Sequence, residues 1–582
     1  MRLVADLDAV TVPDGRWRDA LLAAAGDLVS GEIPAVAYDT DSAGDPLRYL
    51  YDQGVALRRV AGVLGYAFAA TKDRCYLRAM AAHVALNAAR WPDWNPGHPL
   101  DTAQVATAVA LAYGWSRAEL APVERREVVH ALRDRVLVPY VRDDGALARF
   151  RTAAGNQSTV VATAAVLAGL AVRADDADAA GAAVADGAAA LARFRRPDDE
   201  GRSLAGGPTV EGLMYTAYEA AHLALLHTTC WTNAGDAALS ELEGSIADLG
   251  QLAEWSERCG TVAEPAMGDA WDVYPWVDRT TALAAMTAWP AAGPRVHGLL
   301  DGLQARAALT VPGWGSRPVP DGIAELVLAA HPAGPAAPPP PAPAFVPRDG
   351  TGGSFWGCAA HGDLRAYVSA TPNDAPHAHR DVGNVVVLHG EQPVLTDLGQ
   401  RDYGFSARHV WRASTRVHST VGVLRDDGRV RQARAGRGSV TAARNGLRMT
   451  SSSAVPGVDW SRDVVVEDGA VRLRDRLRPR RAPDPRRLSM SFLLAAPADR
   501  VEDLGDRRLR FALGDGSVWD LTVPGDTSPV VSDARPTPPY EDTAAFAAGA
   551  AGSHTLVVVT LPALDDAAGL DLATTVLRVA TT

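Results

Sequence analysis

His331-Pro-Ala-Gly-Pro-Ala-Ala-Pro-Pro-Pro-Pro-Ala-Pro-Ala-Phe345 divides this chain into two halves that read with different periods. Proline at this density fixes φ and removes backbone donors. Helix is excluded, and a stiff extended spacer is expected over residues 331–347. Upstream, apolar residues recur three and four apart between breaks at Gly, Pro and Asp. Pro46–Ala70, Asp101–Trp115, Gln157–Val172, Asp176–Phe194 and Gly212–His227 read as helices. About a dozen such helices suit an α/α toroid, an incomplete barrel of helix hairpins, over residues 1–330. A plain helical solenoid is the other arrangement they allow. Downstream the period is two. Leu364–Ser369, Asn384–Leu388, Thr420–Leu424, Val471–Leu477, Leu488–Leu494 and His554–Leu561 read as short strands, parted by turn signals such as Asp468-Gly469 and Asp515-Gly516. Residues 348–582 are therefore expected to form an antiparallel β-sandwich.

At 582 residues the chain exceeds what one core holds, in keeping with more than one domain. Its formal net charge of −12 and the lack of a long basic run argue against nucleic acid as a partner. Cys75, Cys230, Cys259 and Cys358 form no C-x-x-C pair, so neither a disulfide framework nor a thiolate zinc site is indicated. Met1-Arg-Leu-Val-Ala-Asp6 does not open as a signal peptide, and no apolar run reaches the roughly 18 residues of a membrane span. A cytoplasmic protein with no membrane partner is expected; self-association as a homodimer is left open.

The densest chemistry lies between His377 and His418. It reads His377-Ala-His379-Arg-Asp381, then Thr396-Asp397-Leu-Gly399, Tyr403, Arg412 and Val417-His418-Ser-Thr420. Residues two apart on a strand share a face, so His377 and His379 are expected to reach one pocket together. Two imidazoles and a carboxylate suit zinc, which accepts nitrogen and oxygen donors in tetrahedral geometry.

Taken together, H-x-H-x-D, an apolar strand, D-x-G, a tyrosine, then arginine and histidine before another strand resemble the β-domain signature of the heparinase II/III-like polysaccharide lyases. The resemblance reaches the helical half more loosely, through Trp91-Pro-Asp-Trp94 with Ala112-Tyr-Gly-Trp115, and through Glu211-Gly-Leu-Met-Tyr215. It implies a toroid ahead of a sandwich, an active site in the cleft between them, and β-elimination on uronate-containing oligo- or polysaccharides. On the matching positions it implies His379, Asp397 and His418 as zinc ligands, and His377 as the histidine lining the cleft. Tyr215 falls on the catalytic acid, often the base too. Asn156 and Gln157 fall where the family has an Asn-His pair near the substrate carboxylate. A neutral amide replaces that histidine here, which leaves the base open. Trp91, Trp94, Glu211 and Arg412 are the expected substrate contacts. The zinc is expected to be structural, because all three ligands lie in the sandwich rather than across the cleft.

A uronate lyase must remove the weakly acidic proton on C5 and expel the glycosidic oxygen from C4, after neutralising the adjacent carboxylate. Asn156, Gln157 and Arg412 suit that neutralisation. Tyrosine suits proton transfer once neighbours lower its pKa from about 10. Plainer readings stand beside these. Tyr215 reads equally as a buried helix-face residue, Asn156 as the N-cap of a helix beginning at Gln157, and the tryptophans as packing aromatics. The acidic overall charge favours short oligosaccharides over a highly sulfated polymer. Alternatives are elimination on a small biosynthetic intermediate and non-catalytic carbohydrate binding. A glycoside hydrolase would need paired acids, for which Glu211 and Asp272 are the candidates.

Overall fold

The computed structural model describes residues 7–8, 10, 12, 17–39, 50–153, 155–194, 208–209, 211–232, 243–261, 267, 275–287, 292–306, 322–330, 344–345, 354–399, 411–426, 429–481, 487–524, 529–534, 554–562, 564, 569–572 and 575–580.

The helical half contains α1 (Arg18–Ser30), α2 (Tyr51–Thr71), α3 (Cys75–Met80), α4 (Asn87–Ala89), α5 (Pro99–Ser116), α6 (Pro122–Leu132), α7 (Val138–Val141), α8 (Asn156–Val172), α9 (Ala177–Phe194), α10 (Leu213–Thr232), α11 (Glu243–Cys259), α12 (Pro275–Met286), α13 (Pro294–Arg306) and α14 (Gly322–Ala330). Their burial sorts them into two layers. Every residue of α8 except Gln157 is buried, and all of α5 except Gly114 and Trp115. A helix apolar on all sides belongs inside a larger assembly. By contrast α9 buries one stripe, Ala180, Ala183, Val184, Gly187 and Leu191, and packs against α8 from outside. The inner helices make a continuous ring of contacts, α2 to α5, α8, α10, α12 and α14, which closes back on α2. Closure needs glycine: a Cβ on Gly62 would lie 2.6 Å from the Ile323 side chain and 2.7 Å from its backbone nitrogen.

These inner helices run in the same sense. Leu50 and Gly54 face Asp101 and Gln104, while Asn156 and Thr159 face Glu211 and Glu219. Their N-termini therefore gather at one end of the toroid, where unpaired backbone N–H groups and the loops entering α5, α8 and α10 collect.

The C-terminal half is two antiparallel sheets. The first contains β1 (Ala344–Phe345), β2 (Trp356–His361), β3 (Leu364–Ser369), β4 (Asn384–His389), β5 (Gln392–Leu395), β6 (Val421–Leu424), β7 (Val430–Arg431), β12 (Leu488–Leu494), β16 (Val530–Asp533) and β17 (Thr555–Thr560). The second contains β8 (Ser439–Ala443), β9 (Gly446–Ser451), β10 (Val458–Glu467), β11 (Ala470–Pro479), β13 (Val501–Asp503), β14 (Arg508–Ala512), β15 (Val518–Thr522), β18 (Leu570–Asp571) and β19 (Thr575–Val579). Of the proposed spacer, Ala344–Phe345 is already a strand, paired with Cys358 and Ala359; most of its remainder lies outside the described residues.

The sheets differ in what covers them. In β4, Val385 and Val387 point into the sandwich core, while Val386 and Leu388 point outward. That outer face meets Leu213, Trp255 and Cys259 of the toroid, joined by Trp356, Cys358 and Tyr367. Strands covered on both sides read as continuous apolar runs, hence Asn-Val-Val-Val-Leu-His in β4. In β10 the burial alternates strictly, so the second sheet turns its outer face to solvent. Two hydrogen bonds fix the docking: Trp356 Nε1 donates to Thr209 O at 2.9 Å, and the Tyr367 hydroxyl donates to Cys259 O.

Candidate functional site

Residues from both domains meet where the inner helices begin. Tyr215 sits in the first turn of α10, and its ring stacks on His377 with centroids 3.9 Å apart and planes at 17°. His377 comes from the loop between β3 and β4, with its backbone in the left-handed region at φ 59°. That conformation is uncommon outside glycine, and histidine is among the residues that tolerate it best. His377 Nε2 lies 3.8 Å from Glu211 Oε2, on the loop entering α10. Glu211 is 3% exposed and accepts from both the backbone N–H (3.2 Å) and the side-chain amide of Asn156. Gly155 makes room for this approach, since a Cβ there would lie 2.7 Å from Glu211 Oε1 and its φ is +120°. Asn156 Oδ1 is buried with no hydrogen-bond partner among the described residues.

Beneath this cluster the toroid is polar. Glu219, two turns along α10 from Glu211, accepts from the Thr159 hydroxyl at 3.1 Å, and its other carboxylate oxygen is buried without a partner among the described residues. Burial, and then the charge of Glu211, push the Glu219 carboxyl well above the ordinary range. Next to it, His222 Nδ1 donates to Tyr218 O at 2.8 Å, so its Nε2 accepts from the Gln104 amide at 3.2 Å. Burial, with the nearby Arg58 charge, pushes His222 down to about 3, leaving a neutral imidazole of fixed tautomer.

A second cluster lies inside the sandwich. His379, Asp397 and His418 are all buried, and one ligand atom of each lies within 4.8 Å of the others. His418 Nδ1 contacts Ser414 O at 2.8 Å and must donate to it, so Nε2 presents a lone pair. That lone pair faces His379 Nδ1 at 2.9 Å and Asp397 Oδ2 at 3.5 Å. Two ring nitrogens converging beside a carboxylate need a cation or a shared proton between them, and the donor set fits a divalent metal. Burial raises the Asp397 carboxyl against the opposing pull of His418 and His379.

Residues that sequence reasoning missed hold this cluster in place. Asn384 donates to Asp397 Oδ2 at 2.7 Å and accepts from Ser419 N at 2.9 Å. Arg462, fully buried, grips Asp475 with Nε and Nη2 at 2.9 and 3.1 Å, while its Nη1 donates to Gly383 O and Ser419 O at 2.7 and 2.8 Å. It thus ties the second sheet to the backbone next to Asn384 and His418. The signal was present in the sequence: Trp460, Arg462, Val464 and Val466 share one face of β10, and Val471, Leu473, Asp475 and Leu477 one face of β11. Opposite charges at cross-strand positions of two inward faces mark a buried pair.

Several expectations change. His377 and His379 do not share a strand face: Pro376 and the left-handed His377 break the strand, the segment is a loop, and the two imidazoles serve different clusters. Asn156 is not an N-cap; it is the first residue of α8, Gly155 precedes it, and its amide donates to Glu211. Gln157, one helical position away, is exposed and does not join Asn156. Trp91 and Trp94 are 5% and 1% exposed; Trp94 donates to Ala88 O, Arg135 lies over its ring, and Tyr38 leans on Trp91. Neither indole face is open to a sugar, so both are packing aromatics. Arg412 is 3% exposed, in the segment that the Arg380 N–Ala413 O bond ties to the histidine loop. Tyr403 and Asp272 lie outside the described residues.

Residues 353–557 match the family described as Heparinase II/III-like, C-terminal, so the resemblance carried by the H-x-H-x-D signature is borne out. No curated protein matches the chain by sequence. Among solved structures, a mutant of the heparan sulfate lyase HepC from Pedobacter heparinus is similar at 14% identity, covering 98% of this chain and 90% of that one, with a TM-score of 0.55. Heparinase III is similar at 13% identity, covering 100% of this chain and 87% of that one, also with a TM-score of 0.55. At such identities the likeness establishes the fold, a helical toroid ahead of an antiparallel β-sandwich. No helix among the described residues is long and apolar enough to cross a membrane.

Proposed function

We propose that this chain is a polysaccharide lyase that cleaves uronate-containing oligo- or polysaccharides by β-elimination where the two domains meet. The observation that carries the reading is the Tyr215 ring stacked on His377, one from each domain, with the Glu211 carboxylate beside the imidazole. Elimination needs a base at C5 and an acid at the C4 oxygen, both within hydrogen-bond reach of one sugar. Tyr215 donates its proton to the departing oxygen. His377 accepts the C5 proton, or steadies the charge while the tyrosinate does so. Glu211, 3.8 Å from Nε2, orients the imidazole. Asn156 keeps one amide N–H beyond the one given to Glu211, and turns it to the substrate carboxylate. The C5–H and C4–O bonds break, a C4–C5 double bond forms, and no water is consumed.

His379, Asp397 and His418 would hold a zinc ion. There it would supply a structural cross-link between the segments that carry these three residues, steadying the loop on which His377 stands two positions before His379. Incubating the protein with alginate, heparan, chondroitin and hyaluronan oligomers, and following absorbance in the unsaturated-uronate band, tests the reading. A rising signal with at least one of them, abolished in Tyr215→Phe, is expected. No signal with any of the four overturns it.

A further inference from the structure

The geometry points to a second saccharide site, remote from Tyr215: an anion-binding groove on the outer face of the second sheet that takes a stretch of acidic glycan. The open concavity there measures about 810 Å³ and is lined by Arg437, Arg448, Arg476 and Arg478. The first sheet is the one packed on the toroid, so this face points away from the Tyr215–His377 junction.

Charge on this face is unbalanced. Around the groove, Arg437, Arg448, Arg474, Arg476, Arg478 and Arg480 stand among Asp459, Asp463 and Asp571, two guanidiniums to each carboxylate. Asp463 is shared by Arg448 and Arg476, each at 2.6 Å. Asp571 is shared by Arg474 at 2.6 Å and Arg476 at 3.7 Å, and Asp459 is engaged by Arg480 at 2.9 Å. Arg437 and Arg478 are exposed and enter no ion pair among the described residues. In a chain of net charge −12, such a surplus on one face is not the average surface.

The groove is also built rather than loose. Its wall is the Arg437 segment locked to the turn after β9: Arg437 N donates to Ser453 Oγ at 2.9 Å, and the Ser451 and Ser453 hydroxyls donate back to Arg437 O. Arg480 reaches over to Ser452 O. Ser439, Thr450 and Ser461 add hydroxyls to the floor. Guanidiniums bind carboxylate or sulfate in a planar fork, and interleaved hydroxyls serve sugar hydroxyls. The alternating outward positions of adjacent strands set these groups along an extended ligand. The groove thus holds a polymer that the catalytic junction acts on elsewhere along its length.

The class of ligand rests on the proposed function, but binding is read without turnover. Full-length Tyr215→Phe, with and without Arg437→Ser and Arg478→Ser, is run in affinity electrophoresis through alginate, heparan and hyaluronan near physiological salt, with single-stranded DNA as the competing polyanion. Retention by an acidic glycan that falls at least tenfold on losing the two arginines is expected. In the Tyr215 background the arginine variant should cleave short oligomers as the parent does and polymer more slowly. Equal retention of both proteins overturns the site, and so does displacement by DNA as strong as by glycan. Retention with no turnover by any protein upholds the groove and removes the lyase reading instead.

Discussion

Only Ala378 separates His377 from His379, yet their surroundings share almost nothing. His377 has a side chain 22% exposed, stacked on a tyrosine from the other domain; His379 is 1% exposed and faces His418 and Asp397 within the sandwich. A histidine that is to exchange protons with a substrate must stay reachable, whereas one that anchors an ion gains from burial and a fixed tautomer. One left-handed residue in the loop is enough to send neighbouring imidazoles into different clusters. The comparison predicts that damage on the two sides will look different: lost turnover with intact stability at the junction, lost stability inside the sandwich.

The largest effect is expected at the junction. Tyr215→Phe should lower kcat by about 10²- to 10⁴-fold, the scale of a lost general acid–base group, with an unchanged thermal transition. A loss confined to KM would move Tyr215 from chemistry to binding. Inside the sandwich, Arg462→Met leaves Asp475 buried without its partner. It should cost about 3–5 kcal/mol in denaturant unfolding and lower the metal content. A cost below about 1 kcal/mol would show that the strut is dispensable.

Glu219 sharpens the contrast through pH. Burial and the Glu211 charge raise its folded-state pKa above that of the unfolded chain. Its contribution is therefore complete below the unfolded value, near 4.3, and is lost as pH rises through the folded value. Glu219→Gln should gain on the parent in Tm as pH goes from about 5 to about 8. Curves that stay parallel would mean the carboxyl ionises as it does in water. The smallest effect is expected from Trp94→Phe. It should reduce stability modestly through lost packing and leave KM where it is, because the indole is enclosed by Ala88 and Arg135.

The fold was legible because both halves carry strong periodic signals. Gln157–Val172 was read one residue from its observed start, and Leu488–Leu494 matches its strand end to end. The buried His379–Asp397–His418 group was legible only through the family signature, whose matching positions pick out these three residues. The junction was only partly so. Periodicity says that Asn156 and Gln157 point about 100° apart on a helix, but not which one turns inward; Gly155 and Glu211 decide that through tertiary packing. The H-x-H spacing misled because Pro376 precedes a residue held at positive φ, and local pattern does not carry that conformation. Tryptophan in a sugar-lyase setting invited a stacking role, which only burial could remove.

The most direct test of the account measures metal content and unsaturated-uronate formation on the same preparations of the parent, His377→Ala and His379→Ala. The account predicts that His377→Ala keeps the parent's metal but forms no product, while His379→Ala loses the metal. A His377→Ala protein that loses its metal, or turns over like the parent, would contradict it.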